Sequence, residues 1–292
     1  MFRGNFRIED APETIELRHV WRSDDEVLLA ERMGEPPLLA LSIHWAEQGH
    51  GVLRARTLRP DLDRITIRFD GLAGHDLYGG GEQMSYLRLN GRRFPMWTSE
   101  PGVGRDKSDP YTQAMDAAGM AGGDYWTTNY PQPTLISGQG LALHLDAACY
   151  SVLDATGPGA VFEIWQSDAA IEVLTASNLP ELVGLLSSRF GRQPPLPDWA
   201  VGGAVIGLKD GANSFTRLEQ IIDAGAAVTG LWCEDWAGIR QTSFGRRLFW
   251  DWQWNPSRYP DLPRRIEDLH ARNIRFLAYA NPYLAVDGPL FA

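Results

Sequence analysis

Over the first 175 or so residues, short segments alternate apolar and polar positions and are separated by turn residues. These segments span residues 14–20, 26–32, 37–43, 51–57, 64–69, 136–146, 160–165 and 169–176. Such alternation indicates strands with one buried face, and many short strands at near-regular spacing are typical of an antiparallel β-sandwich. The pattern therefore predicts an N-terminal β-sandwich domain over residues 1–190.

One long stretch, residues 79–133, interrupts this rhythm and is rich in Gly, Pro, Trp and Tyr. Loops of this length are uncommon in compact domains and are usually functional. Its candidate polar contacts are Glu82, Gln83, Glu100, Arg105 and Asp124, and glycines at 79–81 and 122–123 permit tight backbone paths. The stretch could equally serve packing between domains, with Glu100 and Arg105 forming a structural pair, and the sequence leaves both interpretations open.

The hydrophobic pattern changes near Asn178. The segment from this residue to Phe190 begins with a helix N-cap and has a Glu three positions on, which predicts a helix. Beyond a Pro-rich linker, apolar runs at 204–208, 227–232 and 274–280 alternate with helical patterns. Buried strands that alternate with amphipathic helices indicate parallel βα units.

The C-terminal domain, predicted over residues 191–292, holds only three such units. A complete (β/α)₈ TIM barrel needs about 250 residues. We therefore expect a β-sandwich followed by the first βα units of a (β/α)₈ barrel, in a polypeptide truncated at its C-terminus. Three units leave an open strand edge and an uncovered apolar face, so this domain is expected to be unstable alone.

Charged and aromatic side chains follow the predicted parallel strands. After the first two strands come Lys209, Glu234, Asp235, Arg240, Arg246, Arg247 and Trp250. In α/β folds the reacting groups lie at the carboxyl ends of strands. Arginine and an indole N–H suit an anion, whereas carboxylates and aromatic rings suit a sugar. The segment 232–254 thus predicts a pocket for a sugar carrying an anionic group.

A structural interpretation of the same segment stays open at this point. Tryptophans in a βα loop often pack between a barrel and its helices. Glu234 could form a surface ion pair with Arg240.

Composition narrows the possible partners. With 27 Lys and Arg against 37 Asp and Glu, the formal charge is −10, which disfavours nucleic acid and anionic membranes. The two cysteines, Cys149 and Cys233, indicate neither a disulfide framework nor a metal site. No apolar run near the N-terminus suggests a signal peptide or membrane span, so we expect a cytoplasmic protein without membrane insertion.

Three runs resemble the sulfoquinovosidases of glycoside hydrolase family 31. They are YGGGEQMSYLRLNGRRFPMWTSEPGVGRDK (78–107), AGGDYWTTNYPQPT (121–134) and EDWAGIRQTSFGRRLFWDWQWNP (234–256). The YGGGE motif alone is a weak marker, shared loosely with α-glucosidases and α-xylosidases of that family. The EQMSY, SEPGVGRDK and TSFGRR motifs are more specific, and the resemblance extends over about residues 75–292.

This resemblance implies hydrolysis of α-glycosides of sulfoquinovose, a 6-deoxy-6-sulfoglucose, with retention of configuration. It also implies a Lys-Glu-Arg-Trp set for the sulfonate, which falls on Lys209, Glu234, Arg247 and Trp250. Asp235 resembles the family aspartate that binds a sugar hydroxyl. The sequence leaves the preferred aglycone open, with glyceryl glycosides from sulfolipid as the expected natural substrates. In this family the loop at 79–133 would reach over the barrel mouth, where it could contact the aglycone. No cofactor or metal is implied.

The physical chemistry of the four side chains agrees with that set. Arg247 and the Trp250 indole can donate directly to sulfonate oxygens. Glu234 would repel the sulfonate unless a cation lies between them, and Lys209 can provide that cation. We expect loss of Lys209 alone to be more harmful than loss of both residues, because a bare carboxylate would remain.

The catalytic carboxylates are not found in this sequence. A retaining glycosidase needs a nucleophile and an acid/base carboxyl about 5 Å apart. The resemblance implies aspartates on the fourth and sixth barrel strands, beyond Ala292, and neither Asp235 nor Asp287 matches a catalytic motif. We therefore expect the 292-residue chain to be inactive. An α-glucosidase or α-xylosidase of the same family and a non-catalytic carbohydrate-binding protein are the alternatives; the oligomeric state stays open.

Overall fold

The computed structural model describes residues 12–47, 49–99, 108–119, 123–243 and 245–291. Glu100, Arg105 and Gly122, named above as candidate contacts or turn positions, lie outside these residues, as does Phe244 of the TSFGRR motif. The chain divides into two compact units, Met1–Arg192 and Gln193–Ala292, and each is described by itself.

The first unit is built mainly of antiparallel strands, so the predicted β-rich N-terminal half is confirmed. Its strands are β1 (His19–Ser23), β2 (Glu26–Ala30), β3 (Leu39–Glu47), β4 (His50–Thr57), β5 (Ile65–Phe69), β6 (Leu77–Gly81), β7 (Arg93–Met96), β8 (Pro131–Ser137), β9 (Leu141–Asp146), β10 (Ser151–Asp154), β11 (Ala160–Ile164) and β12 (Asp168–Thr175). Eight form one sheet in the order β1-β2-β3-β4-β12-β9-β8-β6, and four form another in the order β5-β11-β10-β7.

The two sheets bury a common apolar core. Leu143 and Ile171 of the large sheet and Phe94, Phe162 and Ile164 of the small sheet belong to one cluster and are each at most 1% exposed. Alternate residues of a strand point to opposite faces, so these inward positions follow the apolar positions of the sequence pattern. The pairing of two packed sheets accounts for that alternation.

A helix ends the first unit, as predicted from the cap at Asn178. Helix α2 (Leu179–Phe190) begins where the Asn178 side chain accepts a hydrogen bond from the Glu181 amide at 3.0 Å. The Glu181 carboxylate in turn accepts from the Ser177 amide at 3.1 Å. These reciprocal bonds satisfy amides that a helix start otherwise leaves unpaired.

The stretch 79–133 differs from the predicted loop, because it contains strand β7 and helix α1 (Pro110–Gly119). Phe94 and Met96 of β7 are buried in the core, which gives this segment a packing role. Helix α1 begins at an Asp109 side chain that accepts from the amides of Tyr111 and Thr112 at 2.9 and 3.0 Å.

Glycines at the start of this stretch are required by their backbone. Gly79 and Gly81 have φ of 116° and 82°. A Cβ on Gly79 would lie 2.2 Å from the Thr134 carbonyl oxygen, and one on Gly81 would lie 2.3 Å from that of Tyr130. No other residue type fits such contacts at positive φ without displacing strand β8 or Tyr130, the residue before it.

The second unit contains a three-stranded parallel sheet in the order β13-β14-β17. The strands are β13 (Ala204–Leu208), β14 (Val228–Cys233) and β17 (Arg275–Ala278), and the helices are α3 (Asp198–Val201), α4 (Asn213–Asp223) and α5 (Leu262–Ala271). Leu208, Leu218, Leu231, Leu262 and Leu269 form its buried core. The predicted alternation of parallel strands and helices is thus confirmed, whereas the eight-unit barrel stays a prediction.

Candidate functional site

Two of the predicted site residues meet at the carboxyl edge of the parallel sheet. Lys209 directly follows β13 and Glu234 directly follows β14, and the last residues of these strands, Leu208 and Cys233, are paired in register. Because parallel neighbours end at the same edge, the two side chains lie side by side. The Lys209 Nζ is 3.1 Å from Glu234 Oε2, so the pairing expected from their charges is present.

The two partners differ in their access to solvent. The Lys209 side chain is 68% exposed, whereas that of Glu234 is 27% exposed. An ion pair at such exposure adds little to stability, in the range of about 0–1 kcal/mol. The pair is therefore better suited to binding than to holding the fold, since the ammonium neutralises the carboxylate and keeps donors open to solvent.

Arg247 lies on a hairpin that follows Glu234 along the chain. Strands β15 (Ile239–Thr242) and β16 (Gly245–Leu248) place Arg240 directly opposite Arg247. Like charges opposite each other are unfavourable, and Arg240 is neutralised by Asp287 at 2.6 Å. The surface pair considered between Glu234 and Arg240 is therefore not formed.

Arg247 itself keeps its charge available. It is exposed, and its Nη1 donates to the carbonyl of Arg246 at 3.2 Å. Within the described part of the chain no carboxylate pairs with it. An exposed guanidinium without a counter-ion is suited to an anionic ligand, which it can bind through two parallel N–H donors.

The five tryptophans of the 232–254 segment divide into two groups. Trp236, Trp252 and Trp254 donate their indole N–H to backbone carbonyls at 2.7–2.8 Å and so brace the loops. Trp232 and Trp250 instead pack against the Tyr279 ring, with centroids 6.0 and 5.5 Å away. Among the described residues nothing accepts from their indole N–H groups, which leaves that of Trp250 as a donor for a ligand.

Asp235 is placed differently from the other predicted residues. It is fully buried, and its carboxylate forms an ion pair with Arg258 and accepts from the Tyr259 hydroxyl. The Cys233 thiol lies 3.6 Å from the same carboxylate. These protein contacts surround the carboxylate, and its hydrogen bond to a sugar hydroxyl stays a prediction.

Two neighbours of Asp235, Cys233 and Tyr259, are held in their neutral forms. Burial raises the pKa of the Cys233 thiol to about 12. Burial also raises the pKa of Tyr259 well above its ordinary value, and the hydrogen bond to Asp235 adds to that shift. Both groups therefore stay protonated at neutral pH and can act as donors to the carboxylate.

Sequence reasoning missed Arg258 and Tyr259. Both belong to the NPSRYP run just after the tryptophan-rich segment, and Tyr259 is 1% exposed. A Tyr and an Arg ahead of a predicted helix were available as a signal, but nothing in their spacing connects them to a carboxylate 23 and 24 positions earlier.

A cavity of about 570 Å³ opens beside this region of the second unit. Its lining residues are Asp210, Gly211, Ala212, Ile239, Arg240, Gln241, Arg246, Asn255, Ser257 and Arg258. None of the five predicted site residues lines it. Lys209 and Arg247 are exposed, so these predicted contacts lie on open surface rather than in this cavity.

The described residues contain no group of three or more His, Cys, Asp or Glu side chains placed to hold a metal ion. In the same part of the chain, no helix has both the length and the apolar character needed to cross a lipid bilayer.

Two curated proteins similar to this chain are both sulfoquinovosidases. No family model matches the sequence. A sulfoquinovosidase of Agrobacterium fabrum is 52% identical over 293 residues, which cover 100% of this chain and 43% of that protein. A sulfoquinovosidase of Escherichia coli is 39% identical over 295 residues, which cover 99% of this chain and 44% of that protein.

A solved structure is also similar to this chain over its whole length. It is a family 31 sulfoquinovosidase from E. rectale in complex with an aza-sugar inhibitor, with 39% identity and a TM-score of 0.88. The match covers 100% of this chain and 44% of that structure. The chain thus spans less than half the length of these three relatives. It shares the fold of the matched part of the E. rectale structure.

Proposed function

We propose that this chain carries the sulfonate-recognition part of a retaining α-sulfoquinovosidase of glycoside hydrolase family 31. The observation that carries the proposal is the exposed Lys209–Glu234 pair at 3.1 Å, followed along the chain by a hairpin with the exposed Arg247 guanidinium, which no carboxylate of the described residues pairs with. The similarity to two sulfoquinovosidases over nearly the whole chain supports it. The substrates would be α-sulfoquinovosides, with glyceryl glycosides from sulfolipid as the natural ones.

Three of the four proposed residues would contact the sulfonate, and the fourth, Glu234, would hold Lys209. Arg247 would bind two oxygens through its fork of N–H groups, and the Trp250 indole would donate a further hydrogen bond. Lys209 would add a positive charge, and Glu234 would hold that charge in place. Glu234 stays compatible with the anion because Lys209 neutralises it.

The same set would discriminate against ordinary glucosides. A glucoside carries a neutral hydroxyl in place of the sulfonate, and it cannot compensate the cations that the site desolvates. A site built for one polar group rejects the analogue that lacks it, because its own donors are left unpaired. Asp235 makes no direct sulfonate contact in this proposal, since its carboxylate is fully buried.

Bond cleavage would use carboxylates outside this sequence. The proposal places the nucleophile and the acid/base aspartate beyond Ala292, in the part of the relatives with no counterpart here. The 292-residue chain would then have no glycosidase activity. The enzyme would act in the cytoplasm and need no cofactor.

The decisive experiment compares two chromogenic substrates. The full-length protein encoded by the reading frame that contains this sequence is assayed with an α-sulfoquinovoside and with the matching α-glucoside. We expect turnover of the sulfonated substrate alone. Arg247→Ala should lower its kcat/KM at least about a hundredfold, the cost of leaving a charged group unpaired. Arg272→Ala, which removes an exposed arginine that pairs with Glu219, serves as the matched control and should retain activity.

The alternatives give different results in the same assay. Turnover of the glucoside that Arg247→Ala does not change would indicate an α-glucosidase or α-xylosidase. The four residues would then have only a structural role. Activity on neither substrate, with retained binding of sulfoquinovose, would indicate a non-catalytic carbohydrate-binding protein. Turnover by the purified 292-residue chain would contradict the placement of the catalytic aspartates.

A further inference from the structure

Two consecutive residues, Arg258 and Tyr259, contact the backbone segments that carry the Lys209–Glu234 pair. The Arg258 guanidinium forms an ion pair with Asp235, the residue next to Glu234. Its Nη2 also donates to the backbone carbonyl of Lys209 at 3.4 Å. One side chain thus connects the segment after β13 with the segment after β14.

Tyr259 connects the same two segments by a second route. Its hydroxyl donates to the Asp235 carboxylate and lies 3.4 Å from the Ser214 hydroxyl. Ser214 Oγ accepts from the Asp210 amide at 3.0 Å. A continuous chain of hydrogen bonds therefore runs from the residue after Lys209 to the residue after Glu234.

Most of this arrangement is buried, although the Arg258 side chain is 22% exposed. Ser214 and Asp235 are fully buried and Tyr259 is 1% exposed, whereas the Lys209 side chain is 68% exposed. A buried ion pair is often no more stabilising than apolar packing, because desolvation offsets its attraction. Such a pair contributes more clearly by holding its partners in a fixed geometry. Here that geometry fixes the backbone at Lys209 and beside Glu234, from which the two side chains extend.

We propose that Arg258 and Tyr259 are positioning residues for the sulfonate-binding pair. The inference rests on the proposed function. Lys209 has a long flexible stem, so its ammonium is held in place only if its backbone and its partner carboxylate are both fixed. An anion site loses affinity when its donors are misplaced by as little as about 1 Å. Loss of the Arg258 bridge should therefore weaken sulfonate binding without removing any sulfonate contact.

A double-mutant cycle tests this inference in the full-length protein. Arg258→Gln should raise KM for the α-sulfoquinovoside about tenfold and leave kcat within about threefold, because binding energy rather than chemistry is lost. In the Lys209→Ala background the same change should have less than about a threefold effect, since coupled residues are not additive. Arg258→Lys, which keeps the charge beside Asp235, should recover part of the affinity.

One control variant and one second test variant keep the test independent of folding. Arg272→Gln removes another carboxylate-paired arginine of the same unit, bonded to Glu219 at 2.6 and 3.0 Å, and should change neither constant. Tyr259→Phe removes only a hydroxyl and should raise KM in the same direction if Arg258→Gln fails to fold. Circular dichroism and thermal unfolding verify each variant.

The outcomes separate this inference from the proposed function. The wild-type preference for the sulfonated substrate tests the function, and without it both proposals fail. If the wild-type protein shows the preference but Arg258→Gln lowers kcat instead, or acts equally with and without Lys209, the positioning role is wrong and the function stands. A KM effect that disappears in the Lys209→Ala background establishes the positioning role.

Discussion

At the scale of single residues, Lys209 has two tasks in the proposed site. Its ammonium neutralises Glu234 at 3.1 Å, and the same group adds positive charge for the sulfonate. Glu234 is the less exposed partner, so solvent would compensate its charge only in part if Lys209 were removed. The two residues therefore act as one unit, and the effects of removing them are not additive.

This coupling predicts which substitutions weaken sulfoquinovose binding most. Lys209→Ala leaves an uncompensated carboxylate beside the anion, whereas Lys209→Ala combined with Glu234→Gln removes the repulsion as well. We expect the double variant to bind sulfoquinovose more tightly than Lys209→Ala by about 1–2 kcal/mol, a factor of roughly five to thirty. Titration calorimetry with sulfoquinovose measures the difference, and Glu234→Gln alone serves as the control. Weaker binding by the double variant would contradict the neutralising role.

Single residues also show where sequence reasoning reaches its limit. The contact between Lys209 and Glu234 could be predicted because each directly follows a strand, and neighbouring parallel strands end at the same edge. The burial of Asp235 could not. Its partners Arg258 and Tyr259 lie in a different segment, and a tertiary contact of this kind leaves no local pattern.

At the scale of elements, an ion pair between a buried carboxylate and a half-exposed arginine joins helix α2 to the large sheet. Glu172 of β12 is 4% exposed, and Arg189 of α2 donates to both its oxygens at 2.6 and 3.2 Å. His50 of β4 contacts the same carboxylate. The hydrogen bonds from Arg189 and then His50 lower the pKa of Glu172 below its ordinary value of 4.5.

The lowered pKa predicts how stability depends on pH. A depressed carboxyl pKa stabilises the folded state above the ordinary value and loses that contribution as pH falls through the folded-state pKa. Glu172→Gln should therefore lower the free energy of unfolding by about 1–3 kcal/mol above pH 5. The difference from the wild-type protein should shrink below pH 4.5.

Urea unfolding at a series of pH values measures this difference. Glu26→Gln is the matched control, because Glu26 forms an exposed pair with Arg56 in the same sheet. It should change stability by less than about 0.5 kcal/mol at every pH. An equal effect of the two variants, or a Glu172→Gln effect that grows as pH falls, would contradict the assignment.

Elements with a clear apolar period could be predicted, and those without one could not. The strands of the large sheet and helix α2 have such a pattern. Helix α1 buries only Thr112 among its described side chains, so it has no apolar stripe to read. The β15–β16 hairpin is largely polar and lacks such a period, because its strands bury little and pair with each other.

At the scale of the whole molecule, the two units differ in how completely they bury their apolar residues. The first has a core shared by two sheets. In the described part of the second, β13 and β17 are the sheet edges, and Val205 and Trp232 are 40% and 38% exposed. Val201 and Val286 are more exposed still, at 67% and 72%. Exposed strand edges and apolar side chains are features of segments that open easily.

This contrast predicts the order of proteolysis in the 292-residue chain. Limited digestion with a protease of broad specificity should cut within residues 193–292 first and leave a resistant fragment that ends near Arg192. Mass spectrometry of the fragments gives the order, and a dye that binds exposed apolar surface should respond to the intact chain more than to the resistant fragment. First cuts within the strands of residues 12–192 would contradict the prediction, because the better-buried unit would then be the less stable one.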